Sequence, residues 1–187
     1  MFTHDHKSFL LRLARKALET AVSHHKMITP VDVDEMLQQP LGAFVTLTSH
    51  GALRGCIGYP EAVYPLCETI VRGAVSAALH DSRFHPVRTA ELDTIHIEIS
   101  VLSPLFPIAP AAVDVGTHGL VIEQGHARGL LLPQVPVEWG WNRDEFLTHT
   151  CAKAGLPGDA WQHGAQLFAF TAEVFSEADV FSEQALQ

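Results

Sequence analysis

Leu53-Arg54-Gly55-Cys56-Ile57-Gly58 is the stretch of this chain whose residue types and spacing could do chemistry. Side chains alternate along a strand, so Arg54 and Cys56 share one face while Leu53, Gly55 and Ile57 share the other; neighbours on one face lie roughly 6.5–7 Å apart. A guanidinium at that range favours the thiolate over the thiol. Cys56 is therefore a candidate nucleophile or modification site, with Arg54 as its electrostatic support. Gly55 and Gly58 add no bulk and let a ligand or another backbone come close. A plainer reading makes Cys56 a small buried hydrophobe, since free cysteine is among the most buried residue types. A nucleophilic cysteine also needs a base, and spacing does not say which of the 12 histidines lies near it.

The elements that must position this stretch follow from periodicity. Apolar residues recur at helical spacing over residues 8–27, and Thr29-Pro30 is expected to end that helix. A short second helix is expected over 31–38, stopped by Pro40. Residues 42–49 and 53–57 read as the two strands of a hairpin turned at His50-Gly51. A buried helix follows over 66–79. Residues 95–102 alternate most clearly, with Ile95, Ile97, Ile99 and Val101 facing one way and His96, Glu98 and Ser100 the other. After an irregular proline-rich stretch over 104–110, a second hairpin spans 120–124 and 127–132. A helix over 143–154 is closed by Gly155, and a last strand covers 167–175. Hairpins without a βαβ rhythm imply antiparallel pairing, so the fold class is α+β, an antiparallel-rich sheet flanked by helices.

Composition narrows the function classes. The chain has 187 residues, 12 Lys plus Arg against 21 Asp plus Glu and a formal net charge of -9, a balance that repels a phosphate backbone. Nucleic acid is not an expected partner. Cys56, Cys67 and Cys151 form neither a disulfide framework nor a C-x-x-C pair. The N-terminus lacks the layout of a signal peptide, and no apolar run approaches the roughly 20 residues that span a bilayer. A reduced cytoplasmic setting with no membrane contact follows. His4/His6 and His24/His25 lack acidic partners at ligand spacing, so no metal and no cofactor are expected.

The 53–58 motif resembles the signature hexapeptide of the AMMECR family. Gly42-Ala-Phe-Val-Thr-Leu47, Asp81-Ser-Arg-Phe84, Glu98-Ile-Ser-Val-Leu102 and Gly116-Thr-His-Gly-Leu120 resemble its further blocks in order. So do Leu130-Leu-Leu-Pro-Gln-Val135, Glu138-Trp-Gly-Trp141 and Cys151-Ala-Lys-Ala-Gly-Leu-Pro157. The bacterial form is similar to protein A of the AmmeMemoRadiSam system. The resemblance implies a two-lobed fold over residues 8–176, between flexible termini at 1–7 and 177–187. It also implies Memo-like and radical-SAM partners, for which the chain would be an accessory protein acting through a cleft lined by the 53–58 motif. An enzyme using Cys56 as a nucleophile or modified acceptor is the alternative.

By the same resemblance Arg54, Gly55, Cys56 and Gly58 are the functional surface. Asp81, Arg83, His118, Gln134, Glu138 and Lys153 fall at family-like positions, whereas the pattern does not specify His85. Each has a plainer role. Asp81 and Arg83 would pair at the end of the 66–79 helix, and Gln134 and Glu138 would satisfy buried backbone groups around a proline-bearing turn. Trp139, Trp141 and Trp161 would anchor packing, and Lys153 would be a solvated residue near a helix C-terminus.

Overall fold

A computed structural model describes residues 2–182. The elements run α1 (His4–His24), β1 (Ala43–Ser49), β2 (Ala52–Tyr59), α2 (Leu66–Leu79), β3 (Ile95–Leu102), β4 (Phe106–Pro107), β5 (Gly119–Gln124) and β6 (Ala127–Leu131). They continue with α3 (Gln134–Trp139), α4 (Arg143–Lys153), β7 (Gln166–Phe170), β8 (Ala172–Ser176) and α5 (Glu177–Phe181). The fold is α+β, as the hairpins and helical stripes predict. The chain divides into two compact units, residues 1–102 with 173–187 and residues 103–172.

In the first unit the strand order is β2-β1-β3-β8. One face of this sheet carries Val45, Leu47, Ile95, Ile97, Ile99 and Val101, all buried, in a single core with the apolar stripes of α1 and α2. Those stripes exist because Leu10, Ala14, Ala17, Leu18 and Ala21 recur at helical spacing on α1, and Ile70, Ala74 and Ala77 on α2. The Thr3 side chain and His6 close a capping box that starts α1 at His4, four residues before the expected start at Ser8. The helix ends where His25 turns left-handed (φ 54°), ahead of the expected stop at Thr29-Pro30. The expected helix over 31–38 shrinks to a 3₁₀ turn, Glu35–Gln38, capped by the Asp34 carboxylate.

In the second unit the order is β4-β7-β5-β6. Its core joins Leu120, Ile122, Leu167 and Ala169 to Phe146, Leu147 and Cys151 of α4. Gly155 (φ 72°) follows α4 as its spacing predicts. The last strand is two: β7 pairs in this second sheet and β8 in the first, with the chain passing between them at Thr171. Alternation is the same for both, so periodicity alone merges them. Gln134 and Glu138 lie on α3, a helix where the sequence predicts a turn. Both are exposed and their side chains make no hydrogen bond among the described residues, so neither side chain satisfies a buried backbone group. Glu177–Phe181, placed in the C-terminal tail by the sequence, forms α5; residues 183–187 lie outside the described residues.

Candidate functional site

Strand β2 is an edge strand, and its hairpin with β1 is irregular. Turning at His50-Gly51, the strands pair Ser49 with Ala52 and Thr48 with Leu53, but Leu47 pairs with Gly55 and Thr46 with Cys56. Arg54 is the extra residue of a β-bulge. A regular register would put Arg54 opposite Leu47 and Cys56 opposite Val45, which is buried in the core. Residues directly opposite share a face, so the bulge moves Cys56 from the core face to the outward one. It also breaks the phase of the motif: Leu53, expected on the face of Gly55, is 43% exposed.

On the outward face Thr46 stands opposite Cys56 on one side and Glu98 of β3 on the other, so Cys56, Thr46 and Glu98 form one row across three strands. All three are half-buried. The Thr46 hydroxyl donates to the Cys56 sulfur at 3.2 Å. Burial pushes the Glu98 carboxyl up from its ordinary value, and the Asp179 carboxylate adds to that rise. At Gly58, next along this face, a Cβ would overlap the Ala43 carbonyl oxygen and Phe44 of the neighbouring strand.

Cys67 and Cys151 are buried, and burial pushes both thiols up. Cys56 alone of the three is partly exposed. Gly55 faces the core, where a Cβ would overlap the Ala77 carbonyl oxygen of α2; its absence lets the helix rest directly on the strand.

The free edge of β2 is held from the chain after α2. The Cys56 backbone N–H donates to the Asp81 carboxylate at 2.9 Å, and Arg83 Nη2 donates to the Cys56 carbonyl at 3.3 Å. Arg83 also grips Asp81 through Nε at 3.0 Å and Nη2 at 2.7 Å. Asp81 is buried, and the guanidinium beside it, with the Cys56 and Arg83 N–H groups, holds its carboxyl far below the usual range. The pair does form near the end of α2, as the plainer reading expects, and it clamps the motif strand as well.

Arg54 is placed differently from its expected role. Its guanidinium donates to both oxygens of Glu91, at 2.8 Å and 3.2 Å, and lowers that carboxyl. Arg83, whose Nη2 donates to the Cys56 carbonyl, is a second guanidinium beside Cys56. Glu91 and Thr46 carry no sequence signal of this kind, because one lies 37 residues from Arg54 and the other is opposite Cys56 only through the bulge. No histidine hydrogen-bonds to Cys56 among the described residues; His85 is exposed.

The remaining candidates belong to the second unit. His118 closes a tight turn: its Nδ1 accepts the Asp114 N–H at 3.0 Å, and its ring meets Phe106 edge-on. Gln134, Glu138 and Lys153 are exposed. Trp141 and Trp161 pack against the core as anchors, but Trp139 is 71% exposed and stacks on Trp141, which in turn stacks on His149. Among the described residues no three His, Cys, Asp or Glu side chains are grouped to hold a metal ion, and no helix is long and apolar enough to cross a membrane.

The AMMECR1 family profile matches residues 11–175. A protein of Thermococcus gammatolerans is 48% identical over 182 residues, covering 90% of this chain and 89% of its own length. One from Methanothermobacter thermautotrophicus is 45% identical over 184 residues, covering 94% of this chain and 96% of its own. Among solved structures, that of the uncharacterized protein PH0010 from Pyrococcus horikoshii matches with a TM-score of 0.79 and 46% identity over 90% of each chain.

Proposed function

The chain belongs to the AMMECR1 family, and from that footing we propose that it is a cytoplasmic accessory protein, working with Memo-like and radical-SAM partners through the outward face of the 53–58 motif. The observation that carries this reading is the bulge at Arg54, which turns Cys56 out of the core on an edge strand clamped by Asp81 and Arg83. A bulge on an edge strand re-aims a side chain at the cost of regular pairing, an arrangement common beside working sites. The test is affinity purification of the tagged chain from its native host at native expression. Memo-like and radical-SAM proteins are expected to co-purify and to be lost with Cys56→Ala at an unchanged melting temperature. A chain that is always recovered alone would contradict the proposal.

A second reading, Cys56 as nucleophile or modified acceptor, is favoured by the Thr46 hydroxyl on its sulfur and by the charge of Arg83 nearby. Glu98, its carboxyl raised by burial, is the titratable group in the same row that could exchange a proton with a partner molecule there. Peptide mass spectrometry of the natively expressed protein tests the acceptor form. A mass added to the Cys56 peptide supports it, and a uniformly bare Cys56 from cells containing the partners counts against it.

A further inference from the structure

The segment 82–91 and Arg54 line an open pocket of about 640 Å³, a volume in the range of small-molecule sites. We propose that this pocket binds a small oxyanion, a phosphate- or carboxylate-bearing molecule, through Arg54, Arg83 and Arg88. The chain as a whole carries a formal charge of -9, yet three guanidiniums converge on this one pocket and its lining contains a single carboxylate, Glu91. With Asp81 added as the partner of Arg83, one positive charge remains unmatched.

Donors are left over as well as charge. The Arg88 guanidinium is exposed and hydrogen-bonds to no group among the described residues. Arg83 Nη1 has no hydrogen-bond partner among the described residues while Asp81 fixes Nε and Nη2, and the side chain is 55% exposed. Arg54 Nη1 is buried without an acceptor, the one guanidinium nitrogen so placed among the described residues. A buried donor lacking a partner is costly, and Arg54 brings its positive charge to the pocket with Nε and Nη2 held by Glu91. Asp81 and Glu91 hold two of the three forks in place before any ligand arrives, which lowers the ordering cost of binding. Planar guanidiniums match the paired oxygens of phosphate and carboxylate. Phe84, Pro86 and Ala90 give the pocket an apolar wall for the body of the ligand.

The inference stands apart from any chemistry at Cys56, and the experiment separates the two. Calorimetric titration of the full chain at low ionic strength, with pyrophosphate and with citrate as probes, is expected to show one saturable site for at least one of them. The tighter probe distinguishes a phosphoryl ligand from a carboxylate. Arg88→Gln is expected to weaken that binding about tenfold, the loss of one charge-assisted hydrogen bond, with no change in melting temperature. Cys56→Ala and Lys16→Gln, the latter on the exposed side of α1, are expected to leave it intact. No saturable binding of either probe would overturn the proposal, as would equal weakening by Arg88→Gln and Lys16→Gln.

Discussion

At the scale of single residues, the site depends on a buried carboxylate that serves two masters. Asp81 accepts the Cys56 N–H with one oxygen and is gripped by Arg83 through both. Asp81→Asn keeps the shape but replaces an acceptor with a donor, and is expected to cost about 2 kcal/mol at neutral pH. Because Arg83 depresses the folded carboxyl, its stabilisation is whole above the unfolded value of about 4 and is lost as pH falls toward the folded value. Urea unfolding of wild type and Asp81→Asn should therefore differ widely at pH 7 and far less at about pH 2, the gap narrowing from about pH 4 downward. An equal difference at both pH values would contradict the role given to Asp81. The residue types at this site were legible in the sequence, but their pairings were not. Arg54 sits two residues from Cys56, yet its partner is Glu91, because a long flexible side chain goes to the carboxylate its fold brings near rather than to its neighbour in sequence.

At the scale of elements, the bulge decides what the motif is. Alternation correctly predicts β3, whose bounds agree residue for residue, because a central strand is paired along both edges and one of its faces is buried throughout. Alternation misplaces Leu53 because one extra residue on an edge strand reverses the phase beyond it, and no residue type announces that reversal. Likewise, β7 and β8 read as one strand because their split is a matter of which sheet each joins. Gly55 was legible as a point of close approach, and the approaching backbone is that of α2. Gly55→Ala is expected to destabilise the fold by about 2 kcal/mol or more, since the neighbour is helix backbone that cannot yield cheaply. Gly51→Ala at the turn meets no neighbouring atom, and its cost would come from its positive φ alone. Thermal unfolding of both variants checks this; a Gly55→Ala protein as stable as wild type would show that α2 does not rest on β2 at that point.

At the scale of the whole molecule, the second unit is an insertion between β3 and β8 of the first. Its entry and exit run side by side, with Ser103 N–H donating to the Thr171 carbonyl at 2.8 Å and Thr171 N–H to Ser103 Oγ at 3.0 Å. Such neighbouring ends are the usual mark of an inserted domain. Replacing residues 104–170 with a short Gly/Ser linker is therefore expected to leave the first unit folded, with cooperative unfolding and amide protection retained in β1 and β3. Loss of that protection would show that the first unit cannot stand alone. The intact chain offers the most direct test of the claim that the Arg54 bulge delivers Cys56 to an accessible face while Cys67 and Cys151 stay in the cores. That test is the native alkylation rate of each cysteine, read by peptide mass spectrometry across a range of pH. Cys56 is expected to react in the folded protein while the other two wait for unfolding. A Cys56 protected until the chain unfolds, or a Cys67 that reacts as fast, would contradict it.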